Sequence, residues 1–146
     1  MKVKDMLRIA HSINDKVYTT SPHTNITSIS KTLKEKGVGA LPVVSDGILV
    51  GIVSERDIAC KVVAEDMKPL YTLVCDVMTP NPTFVSLEEN LEDCLDLMET
   101  GKFRHLPVLD QQKLVGMISI RDILIALLKE KDDLTSHYER YFIANR

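Results

Sequence analysis

Two short stretches hold the residues best suited to chemistry, Ser54-Glu55-Arg56-Asp57 and Ser119-Ile120-Arg121-Asp122. Each stands where an apolar run gives way to a helical pattern. Ser-x-x-Asp is close to a capping box, in which the hydroxyl accepts from an early helix N–H and the carboxylate reaches back. Capping does not account for the arginine that recurs at the third position. A cation in the first helical turn opposes the helix dipole, so helix stability alone would not select it there. An anionic ligand would, because free N–H groups at a helix start and a guanidinium together suit a phosphate. A neighbouring carboxylate can accept from ribose hydroxyls, as the acidic residue of dinucleotide folds does. Ser, Arg and Asp therefore read as phosphate plus ribose, a nucleotide.

A second constellation is Gly101-Lys-Phe-Arg-His-Leu-Pro-Val108, whose partner is Gly37-Val-Gly-Ala-Leu-Pro-Val43. Arg104 and His105 precede an apolar run, whereas their counterparts Gly39 and Ala40 are small and neutral. Taken singly, Arg104 reads as a solvated strand-edge charge and His105 as a satisfied core imidazole. Beside the repeated Ser-x-Arg-Asp they fit phosphate binding better. Other chemistry lacks its residues. No Gly-x-Ser-x-Gly elbow, Walker loop or Gly-x-Gly-x-x-Gly occurs, and His11, His23, His105 and His137 are too dispersed for a metal site by spacing. No catalytic residue, metal or catalytic cofactor is expected, and the chain is not expected to be an enzyme.

The elements that must position these residues are written twice. Leu41–Ile58 aligns with Leu106–Ile123 at an offset of 65 without a gap, and ten of the 18 positions are identical. Asp5-Met6-Leu7 resembles Asp76-Val77-Met78 at an offset of 71, so the first copy holds six extra residues after its opening segment. Each copy reads β-α-β-β-α, which gives an α+β fold. Extended runs come first, Val17–Thr20 and Thr83–Val85. Helices follow with apolar residues at Ile26, Ile29 and Leu33, and at Leu91, Cys94, Leu95 and Met98. Gly37 and Gly101 stand where left-handed C-terminal caps are expected. Strands at Leu41–Ser45 and Ile48–Val53 flank Asp46-Gly47, a strong hairpin signal. Those at Leu106–Leu109 and Leu114–Ile118 flank a weaker turn at Asp110-Gln111-Gln112. The expected division is residues 1–66, 67–130 and a C-terminal helical extension at 131–146; residues 66–74 connect the copies, and Pro69 stops the helix that precedes this connection. Leu134, Tyr138, Tyr141 and Phe142 recur at helical spacing in that extension, and read either as a fold-back onto the domain or as a partner surface.

Composition narrows the class. The chain has 146 residues, 45% apolar and 27% charged, with a net charge of −3, which excludes disorder as its main state. Aromatics make up 5% and Trp is absent, so Val, Ile, Leu and Met must fill the core. No stretch approaches the ~18 consecutive apolar residues of a membrane span, and the start lacks the pattern of a signal peptide. A sequence pI near 5.8 argues against a nucleic-acid surface. Cys60, Cys75 and Cys94 form no CxxC pair and are expected as buried thiols in a reducing, cytoplasmic compartment.

The duplicated Leu-Pro-Val … Leu-Val-Gly-Ile-Val-Ser-x-Arg-Asp-Ile pattern resembles a pair of CBS (cystathionine β-synthase) domains, together a Bateman module. The resemblance runs from about Lys4 to Leu128 and implies two repeats packed with pseudo-twofold symmetry, commonly dimerising into a disc. It also implies two clefts for adenosyl ligands such as AMP, ADP, ATP or NAD(H), with S-adenosylmethionine an alternative. The first cleft would join Ser54, Arg56 and Asp57 with Val77, Met78, Thr79, Pro80, Asn81 and Pro82, and with Phe103, Arg104 and His105. There Asp57 would hold the ribose hydroxyls and Ser54 the ribose or phosphate. Arg56, Arg104 and His105 would meet phosphate, and Thr79 and its neighbours the adenine through backbone groups. The second cleft would join Ser119, Arg121 and Asp122 with Val17, Tyr18, Val38, Gly39 and Ala40, borrowing Arg104 or His105. Its opening segment, Leu7-Arg8-Ile9, departs from Met-Thr-Pro, so ligand is expected at the first cleft, with the second weaker or empty. The implied role is a regulatory module, a homodimer that senses nucleotide and signals to a separate protein. A scaffold with vestigial clefts is the alternative.

Overall fold

The computed structural model describes the backbone of residues 1–10 and 17–144, and the side chains of that span apart from residues 10, 132–139 and 141–144. The order is α1 (Val3–Ala10), α2 (Ile26–Lys36), β1 (Ala40–Ser45), β2 (Ile48–Ser54) and α3 (Glu55–Asp57), which runs on as a π-helical stretch, Ile58–Val63. After a 3-10 turn at Pro69–Tyr71 come α4 (Val74–Val77), β3 (Thr79–Pro80), β4 (Val85–Ser86), α5 (Leu91–Gly101), β5 (His105–Asp110), β6 (Lys113–Ser119) and α6 (Ile120–Ala144). Two three-stranded sheets result, ordered β1-β2-β3 and β4-β5-β6.

The repeat is legible in the register. β1 pairs antiparallel with β2 through Leu41↔Val53, and β5 with β6 through Leu106↔Ile118. Both hairpins carry an irregularity at the same place, Val43/Val44 and Val108/Leu109. Thr20 bridges Val43 in parallel, as Val85 does Val108 in β4–β5. Asp46 and Gly47 both have positive φ, the requirement of a tight primed turn, and Gln111 and Gln112 adopt the same conformation without a glycine. The weaker turn signal therefore builds the same turn.

The two hydrophobic cores do not follow the chain order of the copies. One is built on Ile26, Ile29, Leu33, Leu41, Val43, Val53 and Val62, and is completed by Val74 and Val77 of α4. The other, around Leu91, Cys94, Met98, Leu106, Val108, Ile118 and Ile123, is completed by Val3 and Met6 of α1. Matched hydrogen bonds hold the exchanged segments: Val3 N–H donates to Glu89 O, and Val74 N–H to Thr24 O, each at 2.9 Å. Each opening helix thus serves the other copy, which ties the repeats into one unit.

Two expectations change. The α5 cap falls on Lys102 with φ 57°, the position matching Gly37 with φ 63°, and not on Gly101. Gly101 instead makes room for the Phe103 ring, which occupies the space its Cβ would need. Only Cys94 of the three thiols is buried, with burial pushing its pKa up to about 11, whereas Cys60 and Cys75 are exposed. No helix among the described residues is long and apolar enough to cross a membrane. Leu124, Ile125 and Leu128 are exposed on α6. The side chains of Leu134, Tyr138, Tyr141 and Phe142 lie outside the described residues, as does His11.

Candidate functional site: two unequal clefts

Both Ser-x-Arg-Asp turns form the caps their spacing predicts. Asp57 N–H donates to Ser54 Oγ at 3.2 Å, and Ser54 N–H to Asp57 Oδ2 at 2.9 Å. In the second copy Asp122 N–H donates to Ser119 Oγ at 3.1 Å, and Ser119 N–H to Asp122 Oδ2 at 2.9 Å. In each copy one carboxylate oxygen closes the cap, and Arg56 and Arg121 are left exposed on the first turn. Backbone bonds then link each turn to the strand beside it: Glu55 N–H donates to Gly39 O, and Ile120 N–H to Arg104 O. The turn, the cap and the residues before β1 or β5 are therefore held as one block.

A cavity of about 1270 Å³ opens at the second turn. Val17, Tyr18, Val38, Gly39, Ala40, Arg104, His105, Ser119, Arg121 and Asp122 all line it, the full set expected at the second cleft. None of Ser54, Arg56, Asp57 or Val77–Pro82 does. Its volume exceeds what a drug-sized ligand needs. Arg104 and Arg121 share the cavity with Lys4 and Arg8 of α1, two basic residues one helical turn apart that sequence reading did not single out. Glu55, Glu88, Asp110 and Asp122 are its carboxylates. Glu88 is occupied, its Oε atoms 2.9 Å from the Lys2 and Lys4 ammonium groups, and those bonds hold its pKa down to about 2.

His105 sits where the copies meet. A Cβ on Gly39 would lie 3.2 Å from its Cε1 and Nε2, so the small residue opposite leaves space for the ring. Burial pushes the imidazole below its ordinary range, Asp122 and Glu55 pull the other way, and Arg104 adds to the lowering. The ring is accordingly neutral at neutral pH, able to offer one N–H and one lone pair. Tyr18 is exposed at the rim, with Lys36 Nζ 4.8 Å from its ring centre.

The first cleft is arranged differently. Thr79 and Pro80 form β3 and pair with Ile52 and Gly51 of β2, and the Met78 side chain covers Gly51. Leu7 covers Gly116 in the same way in the second copy, but α1 stays helical to Ala10 and adds no strand to β6. Phe103 packs against the second core, and Val77 is buried in the first. Lys61 closes the arrangement, its Nζ 2.9 Å from Asp57 Oδ1 and donating to Val77 O at 2.9 Å. The cleft with the more complete motif is thus the one whose carboxylate is already paired. Among the described residues no cluster of His, Cys, Asp and Glu could hold a metal ion.

The family model described as "CBS domain" matches residues 3–64 and 74–129. The chain is 32% identical over 120 residues to CBS domain-containing protein YhcV of Bacillus subtilis, covering 82% of this chain and 85% of that protein. It is 36% identical over 110 residues to CBSCBSPB2 of Arabidopsis thaliana, covering 75% of this chain but only 20% of that longer protein. Among solved structures, a CBS-domain protein from Burkholderia ambifaria superimposes with a TM-score of 0.86 at 34% identity, over 90% of this chain and 96% of that one. CBSX2, solved in complex with AMP, gives 0.72 at 31% over 89% and 98%. The CBS pair of MJ0100, solved with 5′-methylthioadenosine and S-adenosylmethionine, gives 0.74 at 27% over 90% and 98%.

Proposed function

The chain belongs to the CBS domain family as a tandem pair of repeats, and from that premise we propose that it is a regulatory receptor for an adenine nucleotide, bound at the second cleft. The observation that carries this reading is the cavity at the start of α6. There Asp122, whose Oδ2 closes the Ser119 cap, lines a space shared with Arg121, Arg104 and His105. Asp122 takes the ribose hydroxyls, and the guanidinium groups take the phosphates, the planar donor fork matching phosphate oxygens. The apolar walls at Val17, Val38 and Ala40 take the base. That CBSX2 and MJ0100 were solved with AMP and with adenosyl compounds supports the ligand class.

The ligand is bound and not transformed. It touches both copies, since Arg104 and His105 stand at the start of β5 while Val38, Gly39 and Ala40 stand at the start of β1. A ligand held by two pieces that can shift favours one arrangement of them, and that difference in affinity is the signal. Exposed Leu124, Ile125 and Leu128 on α6 offer the face through which a second copy or the regulated protein receives it.

The test is a thermal-shift panel of AMP, ADP, ATP, NADH and S-adenosylmethionine followed by calorimetry. A stabilisation by the phosphate-bearing adenosyl compounds that grows with concentration is expected. No shift with any of the five would favour the scaffold reading and overturn this one.

A further inference from the structure

We propose that Lys61 is an internal latch that shuts the first cleft to ligand and makes this module a one-site receptor. The proposal rests on the reading of the clefts as nucleotide sites. Asp57 ends α3, which follows β2 directly, and Val77 ends α4, on the segment that opens the second copy. A single ammonium group joins them, 2.9 Å from Asp57 Oδ1 and 2.9 Å from the Val77 carbonyl. The other Asp57 oxygen already accepts from the Ser54 N–H and hydroxyl. Of the carboxylate that a ribose would need, Oδ2 is therefore filled by the cap and Oδ1 is held by the latch, which leaves it at most one acceptor direction.

The second copy has the same cap and, among the described residues, no latch. Lys61 aligns with Ala126 at the offset of 65, and a methyl group there cannot pair with Asp122. Among the described residues Asp122 Oδ1 has no hydrogen-bond or ion-pair partner. The helix carrying Lys61 is also locally different, since Ile58–Val63 is π-helical whereas the matching stretch lies within α6. Wide turns of this kind recur where a helix departs from regularity for a function. With an aspartate 13% exposed and a lysine 46% exposed, the pair is sheltered on the carboxylate side only. A ribose must compete with the Lys61 ammonium for Asp57 Oδ1, which lowers first-cleft affinity roughly tenfold.

Calorimetry with ATP on the full chain decides the matter, comparing the unaltered protein, Lys61→Met and Lys61→Met/Asp122→Asn. Methionine keeps the aliphatic stem and removes the charge. One ATP per chain is expected for the unaltered protein, two for Lys61→Met, and one for the double variant, now in the first cleft. One site in both the unaltered protein and Lys61→Met overturns the latch; its loss in the double variant leaves the second-cleft reading standing, and its retention there overturns that reading too. Two sites in the unaltered protein also overturn it. No site in the unaltered protein and one in Lys61→Met upholds the latch while the second-cleft reading falls, and no binding in either overturns both. Circular dichroism verifies folding, and Lys61→Gln replaces the methionine variant should that one not fold.

Discussion

The two clefts of this molecule start from the same four-residue turn and end with different electrostatics. At the first, Asp57 is paired with Lys61, and the segment after α4 lies down as a strand against β2. At the second, Asp122 serves only its cap among the described residues, and α1 remains helical, presenting Lys4 and Arg8 to the cavity. A binding motif thus specifies where polar groups stand, but not whether they are available. Availability is decided one helical turn away, by a lysine in one copy and an alanine in the other.

The largest expected effect separates the two aspartates directly. Asp122→Asn keeps an oxygen for the Ser119 cap and removes the charge that holds ribose. A hydrogen bond to a charged group contributes ~1.5–3 kcal/mol, so ATP affinity should fall about 10–100-fold. Asp57→Asn in the same titration should change affinity at most a few-fold. Equal losses from the two would erase the distinction between the clefts. Next in size is Arg121→Ala, expected to weaken ATP about tenfold through a lost charge-assisted phosphate contact. Adenosine, which has no phosphate, should bind the variant as it binds the parent. A matching loss for adenosine would place Arg121 elsewhere than on the phosphates.

How far this asymmetry is legible in the sequence depends on the range of the interactions. Caps at Ser54 and Ser119, both hairpins and the helices after Asn25 and Asn90 are local, and a constant offset of 65 duplicates them in plain view. The exchange of α1 and α4 between cores is not legible, because periodicity shows that Val3 and Met6 need a core but not which one. The cap at Lys102 is a case between. Alignment at the offset puts it opposite Gly37, yet glycine preference draws attention to Gly101, whose smallness serves the Phe103 ring instead. Motif completeness points to the first cleft and carries no sign of the bond from Lys61 to the Val77 carbonyl, which spans 16 residues and leaves no pattern.

The same pair of caps yields a smaller prediction. A non-glycine residue held in the left-handed region costs ~1–2 kcal/mol, and Lys102 is held there at φ 57°. Lys102→Gly should therefore raise the urea midpoint by an amount near the lower end of that cost, since glycine also gains freedom when unfolded. Gly37→Ala should lower it. Opposite signs from matching positions would show that the two copies keep one backbone under different sequences, and equal signs would refute that.

The last and smallest effect concerns His105, which has no counterpart in the first copy because Ala40 stands there. Burial holds its pKa below the ordinary value of 6.5 in the folded protein. As pH falls through that value the unfolded chain takes up a proton that the folded chain does not. Stability contributed by the neutral ring is thus complete above about pH 6.5 and declines toward the lowered folded pKa. A bound phosphate reverses the sign locally, since an anion beside the ring favours imidazolium. ATP binding near pH 6 should accordingly draw a proton from the buffer, read by calorimetry in two buffers of different ionisation enthalpy, and the uptake should vanish in His105→Gln. Apparent heats that agree between the buffers would place the phosphates away from His105, and would leave Arg104 and Arg121 as the groups that hold them.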